Sequence, residues 1–236
     1  MAMIDGFGRK IDYLRISVTD RCNFRCHYCM PEKQKFLPHN ALLDYSEIAL
    51  LANRFIVHGI RKIRLTGGEP LLRRDIEVLI RELGAHVHAG RLDELTLTTN
   101  GSRLSEFASV LAEAGVKRIN VSVDSLDPDT FRTITRGGDL TQVLIGIDAA
   151  RQNDVSIKIN MVALKDQNQA DLIPMTAYCA INGFDLAIIE TMPLGDGVAG
   201  RKDHFIAIDD FIAVAQTVRD DAVAPSQRGS GALLAA

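Results

Sequence analysis

Apolar and polar residues alternate with a period of two in four short stretches of this chain. Ile63 and Leu65, Leu95 and Leu97, Ile119, Val121 and Val123, and Ile157 and Ile159 form one set. Arg64 and Thr66, Thr96 and Thr98, Asn120, Ser122 and Asp124, and Ser156, Lys158 and Asn160 form the other. Period two sends successive side chains to opposite faces of a strand. The intervening stretches change to spacings of three and four. Ser46 is placed to cap a helix from Glu47 to His58, with Ile48, Leu51 and Phe55 on one face. Asp75 opens a second helix that turns Ile76, Leu79, Ile80 and Leu83 inward. Gly59, Gly90, Gly115, the Asn153-Asp154 pair and Gly183 punctuate the chain at intervals of about 25 to 38 residues, each just before a strand. With a first strand near Tyr13 to Val18, the pattern predicts six strand–helix units and an α/β fold with a parallel sheet.

The alternation changes the picture of that sheet. Parallel strands covered on both faces read as continuous apolar runs. Here one face is polar, so helices cover one side and the other lines a wet interior. This describes a partial (β/α)6, TIM-like barrel with parallel strands and a polar lumen. The other reading is an open sheet with one solvated face, which suits antiparallel hairpins, but these connections are too long for hairpins.

Composition narrows the function. The chain has 236 residues and a formal charge of −3, enough for one core and against a nucleic-acid surface. No apolar run reaches membrane-spanning length, and the first ten residues lack the apolar centre of an export signal. A cytoplasmic protein with reduced thiols is expected, with no nucleic acid or membrane as partner. Residues 1–205 are expected to form the barrel, and 206–236 a short helix (Ile208 to Arg219) followed by a frayed tail.

Candidate chemistry concentrates in Cys22, Cys26 and Cys29, spaced C-x3-C-x2-C. Three thiolates on one loop can each take one iron of a four-iron cube, leaving the fourth iron open. A Cys3His zinc site drawing on His27 or His39, or a disulfide framework, are the alternatives on spacing alone. Arg64 and Lys158 point into the expected lumen, and Arg15 comes from a third strand. Cations converging there need either internal counter-charges, from Asp124 or Glu190, or a bound anion. No G-x4-G-K-[ST] loop is present, so a nucleotide would be held by side chains. The fourth cysteine, Cys179, lies in the apolar stretch Met175 to Ile181 and reads as core. His86 and His88 sit at a helix end and are expected to face water.

The cysteine loop is preceded by Asp12 to Asp20, and Tyr28 stands before the third cysteine. Lys62 to Leu71 contains Thr66-Gly67-Gly68-Glu69-Pro70, and Thr98-Thr99-Asn100-Gly101, Ile119 to Asp124 and Ile189-Glu190-Thr191-Met192-Pro193 follow. Together these resemble the radical S-adenosylmethionine enzymes, and among them the GTP 3′,8-cyclases of molybdenum-cofactor biosynthesis, over about residues 5 to 195. The resemblance implies a [4Fe-4S] cluster on Cys22, Cys26 and Cys29, with S-adenosylmethionine on the open iron and against Tyr28, Gly68, Ser122 and Met192. It implies GTP as substrate, contacted by Arg15, Arg64, Thr98 and Lys158. It also implies an electron donor, and leaves a homodimer open. The implied reaction takes the ribose 3′ hydrogen and joins that carbon to C8 of guanine. A radical enzyme with another substrate, such as a peptide, and a non-catalytic remnant are the other readings. Members of that family usually carry a second cysteine set, further arginines and a terminal Gly-Gly beyond the length of this chain. They also usually have arginine where Ala187 stands.

Overall fold

The computed structural model describes residues 3–191 and 204–213. A two-stranded antiparallel hairpin, β1 (Met3–Ile4) with β2 (Lys10–Ile11), leads into the main sheet. That sheet is formed by β3 (Tyr13–Ser17), β4 (Lys62–Thr66), β5 (Glu94–Thr99), β6 (Arg118–Ser122), β7 (Ser156–Ala163) and β8 (Asp185–Glu190). These strands lie in chain order, every neighbouring pair is parallel, and β3 and β8 remain the two edges. The barrel is therefore partial and open, as the alternation predicts.

Helices α1 (Tyr45–Val57), α2 (Ile76–His88), α3 (Leu104–Glu113), α4 (Pro128–Thr135), α5 (Leu140–Gln152) and α6 (Leu172–Asn182) make the crossovers. The β6-to-β7 connection, the longest of the glycine-punctuated intervals, holds two helices rather than one, α4 and α5. Arg136 and Gly137 between them both take positive φ, 52° and 111°. That left-handed pair breaks the helix and turns the chain. Ile63, Leu65, Leu95, Leu97, Ile119, Val121, Ile157 and Ile159 all lie in the buried core between sheet and helices. Burial of such side chains from water is the main favourable term of the fold, roughly 1.5–3 kcal/mol for each fully buried one. Gly59, Gly90, Gly115 and Gly183 all take positive φ after a helix, as C-terminal stops require.

Several local expectations differ from the structure. Helix α1 begins two residues early, at Tyr45, so its cap is Asp44 and not Ser46. Asp44 accepts from the Glu47 backbone N–H at 2.8 Å, and Glu47 accepts in return from Asp44 N–H at 2.8 Å. Leu51 is 46% exposed, not buried. It lines an outer groove of about 380 Å³ with Leu14, Ile16 and Phe55, beside the edge strand β3. His86 is buried, and its Nδ1 accepts from Arg91 Nε at 2.9 Å. His88 is held to the Glu113 carbonyl at 2.9 Å. Cys179 is buried in the core. Beyond the undescribed stretch, Phe211 and Ile206 join the same apolar cluster, and Glu190 accepts from Ile208 N–H at 2.9 Å.

Candidate active site at the strand ends

The cysteine loop leaves β3 and is tied down on two sides. Phe24 is buried and meets Phe131 of α4 edge-on, with ring centroids 5.9 Å apart. Arg25 and His27 donate their backbone N–H groups to Thr135 and Ile134 at 3.0 and 3.2 Å. The N–H groups of Cys29 and Met30 both return to the Cys26 carbonyl, at 2.9 and 3.0 Å, folding a tight turn between the second and third cysteines. All cysteines are free thiols, so no disulfide framework forms.

Among the described residues, no three His, Cys, Asp or Glu side chains converge as one metal ion requires. A tetrahedral zinc would draw its ligands to about 2.0–2.3 Å. His27 is engaged elsewhere, with Nε2 2.7 Å from Gln167 Oε1 and its ring 5.0 Å from that of His204. A four-iron cube makes a different demand, since each cysteine binds its own iron. Burial first, then Asp124, Cys29 and Cys22, hold the Cys26 thiol well above its ordinary pKa. Burial and Asp124 raise Cys29, and burial, with Glu69 and Cys29 adding to it, raises Cys22. Each thiolate is disfavoured by desolvation and negative neighbours, and a cationic group bound among them reverses that penalty.

Thr66-Gly67-Gly68-Glu69 follows β4 and grips the approach to Cys22. Gly68 and Glu69 donate N–H to the carbonyls of Thr19 and Arg21, each at 2.7 Å. A Cβ on Gly68 would lie 2.3 Å from Arg21 O, and one on Gly67 would lie 2.5 Å from Thr19 O. The close approach that needs glycine is therefore to the chain's own backbone. Among the described hydrogen bonds, the carbonyls of Gly67 and Gly68 accept none. Glu69 is fully buried and accepts from Leu71 N at 3.0 Å, Thr99 Oγ1 at 2.8 Å and Asn100 N at 2.6 Å. Burial raises its pKa to about 7 against the pull of those donors. Asn100 carries the network onward, donating from Nδ2 to Asn23 Oδ1 at 2.9 Å and towards Cys22 Sγ at 3.7 Å.

The polar faces of the strands meet below this loop. Arg15 on β3 stands in register with Arg64 on β4, and Thr98 on β5 with Asn120 on β6. Asn120 in turn pairs with Lys158 on β7, and Ser122 with Asn160. Arg15 Nε donates to Thr66 Oγ1 at 3.3 Å, and the Arg64 guanidinium lies 5.5 Å over the Tyr13 ring. Among the described residues, Arg64 Nε is buried with no hydrogen-bond partner, as is Asn120 Oδ1. Among the described residues, Arg15, Arg64 and Lys158 form no ion pair. The internal counter-charges expected of Asp124 and Glu190 are directed elsewhere: Asp124 to Tyr28 and Val162, Glu190 to Ile208.

The structure thus gathers Arg15, Arg64, Thr98 and Lys158 on the lumen face, with Ser122 at the same face's upper end and Tyr28 and the cysteines above. Met192 lies outside the described residues. Ala187 sits on β8 opposite Asn160. Glu69, Asn100 and Asn168 were not singled out by sequence reasoning. Glu69 and Asn100 stand within quoted motifs, but only their hydrogen bonds reveal a supporting role. Asn168 lies in a loop with no periodic signal.

Residues 16–179 match the radical SAM superfamily. The chain is 56% identical over 210 residues to a GTP 3′,8-cyclase of Sinorhizobium medicae, covering 89% of this chain and 60% of that protein. It is 52% identical over 211 residues to the GTP 3′,8-cyclase of Agrobacterium fabrum, with the same coverage of each. The chain therefore spans about 60% of the length of the curated relatives it matches. The crystal structure of Streptococcus suis SuiB bound to S-adenosylmethionine superposes with a TM-score of 0.70 at 16% identity, over 93% of this chain and 49% of that one. That likeness concerns the fold. The three-cysteine loop, the open parallel barrel and the match over residues 16–179 together place the chain in the radical SAM superfamily, to which it belongs.

Proposed function

We propose that this chain carries the radical half of a GTP 3′,8-cyclase, acting in molybdenum-cofactor biosynthesis. Cys22, Cys26 and Cys29 would hold a [4Fe-4S] cluster, and S-adenosylmethionine would bind beside it. When bound, these two supply reductive cleavage of a sulfonium, which requires one electron from an external donor. The protein's part is to bind, orient and shield. The Gly67 and Gly68 carbonyls, acceptors without a partner among the described residues, suit the ammonium of the methionine end. Tyr28, Ser122 and Met192 complete that site.

The single observation that carries the substrate reading is the set of lumen cations. Arg64 Nε is buried and unpartnered, and its strand neighbour in register is another arginine, Arg15. A buried donor left without an acceptor is unfavourable. A triphosphate resolves this, because guanidinium forks and an ammonium match phosphate oxygens. Arg15, Arg64 and Lys158 then neutralise GTP while Thr98 hydrogen-bonds it. The relatives of 52–56% identity named GTP 3′,8-cyclase support the same choice.

Anoxic reconstitution with iron and sulfide, followed by reaction with GTP, S-adenosylmethionine and a strong reductant, tests this. The expected products are 5′-deoxyadenosine and the 3′,8-cyclised nucleotide. Recovery of 5′-deoxyadenosine with GTP unchanged would reject the cyclase and retain the radical chemistry.

A further inference from the structure

We propose that Asp124 is a positioning residue for Tyr28, and through that ring for the Cys26–Cys29 turn and the S-adenosylmethionine it faces. This rests on the cofactor reading above. Tyr28 stands between two cysteines and donates its hydroxyl to Asp124 Oδ2 at 2.7 Å, across 96 residues of chain. The acceptor is fixed rather than mobile. Its other oxygen accepts from Val162 N–H on β7 at 2.8 Å. Its backbone carbonyl accepts from Asn168 Nδ2 at 2.7 Å, and the same amide reaches the Val162 carbonyl at 2.9 Å. Leu164 N–H closes the bracket on Asn168 Oδ1 at 3.0 Å. Asn168 is completely buried and Asp124 nearly so.

This bracket joins the ends of β6 and β7, holding Asp124 Oδ1 on Val162 while Oδ2 takes the Tyr28 hydroxyl. The carboxylate has no cationic partner among the described residues. It is therefore an expensive choice for stability alone, since burying an unpaired carboxylate is unfavourable. Its geometry suits another task. The cysteine loop is pinned at Arg25 and His27 to α4. The Tyr28 hydroxyl is the bond that pins its far side to the sheet, next to Ser122 two residues before Asp124.

The test compares wild type with Tyr28→Phe, Asp124→Ala, Asp124→Asn and the Tyr28→Phe/Asp124→Ala pair. Tyr28→Phe removes one oxygen and leaves the Val162 bond intact. Two readouts are used. The first is S-adenosylmethionine affinity and its effect on the electron paramagnetic resonance spectrum of the reduced, reconstituted chain. The second is the alkylation rate of Cys26 and Cys29 in the cluster-free chain, read by mass spectrometry.

Tyr28→Phe and Asp124→Ala are each expected to weaken S-adenosylmethionine roughly tenfold and to speed alkylation of both cysteines. The pair is expected to do no more than either alone. Asp124→Asn, whose amide can satisfy both neighbours, restores wild-type S-adenosylmethionine affinity. Wild-type affinity and alkylation in Tyr28→Phe would overturn the anchor, as would additive losses in the pair. If wild type itself ignored S-adenosylmethionine while Tyr28→Phe still loosened the cysteines, the anchor would stand and the cofactor reading would fall.

Discussion

Arg64 is half-buried with a buried Nε and Glu69 is fully buried, with opposite consequences. Arg64 Nε has no partner among the described residues, so Arg64→Ala removes an unmet demand. We expect it to leave the melting temperature unchanged or slightly higher while weakening GTP roughly tenfold or more. Calorimetric titration of the reconstituted chain, with thermal unfolding alongside, checks both halves. Glu69 is over-determined by comparison, with three donors aimed at its two oxygens. Glu69→Gln turns an amide against one of those donors, at a cost of about 1–3 kcal/mol in a urea titration. Its pH signature follows from its pKa, raised by burial from 4.5 to about 7. The folded state then holds the proton more tightly than the unfolded state. The group's contribution is complete below pH 4.5 and is lost as pH rises towards 7. Asp124, raised from 3.8 to about 6, adds in the same direction. Urea midpoints of the cluster-free chain should therefore fall between pH 5 and 7, less steeply in Glu69→Gln.

Among the elements, the Gly-Gly loop carries the sharpest steric prediction. A methyl at position 68 meets backbone, which cannot rotate away. Gly68→Ala should displace the Thr19–Arg21 segment and destabilise the chain by about 1–3 kcal/mol, seen as a lower melting temperature. Gly90→Ala, with nothing within 4 Å but a positive φ of 65°, should cost less, about 1 kcal/mol. The elements also show what the sequence made legible. Strand β4 lies where the alternation from Ile63 to Thr66 places it, because burial on one face imposes period two, and β8 follows its glycine stop at Gly183. The lumen cations were legible for the same reason. The division of α4 from α5 was not, since Arg136 adopts a left-handed backbone that no side-chain pattern announces. Leu51 fits a helical stripe, yet it faces the open edge of β3, and periodicity cannot say whether a neighbour covers that face. Asp124 was legible as a charge in the lumen. Its partner Tyr28 lies 96 residues away and emerged only from the fold.

At the scale of the molecule, six parallel strands present one polar face beneath a single loop bearing three thiols. The helix-side core holds that face rigid, while β3 and β8 leave the barrel open between them. The curated relatives are longer than this chain, so the account rests on what the described residues build: a cluster site at the mouth and a cationic wall below. Its central claim is that Cys22, Cys26 and Cys29 hold one four-iron cube that cleaves S-adenosylmethionine. The most direct measurement is 5′-deoxyadenosine released by the anoxically reconstituted chain under a strong reductant, beside Cys26→Ser. The account predicts release from the wild-type chain carrying about four irons, and none from the variant. A wild-type chain with that iron content that left S-adenosylmethionine intact would contradict it.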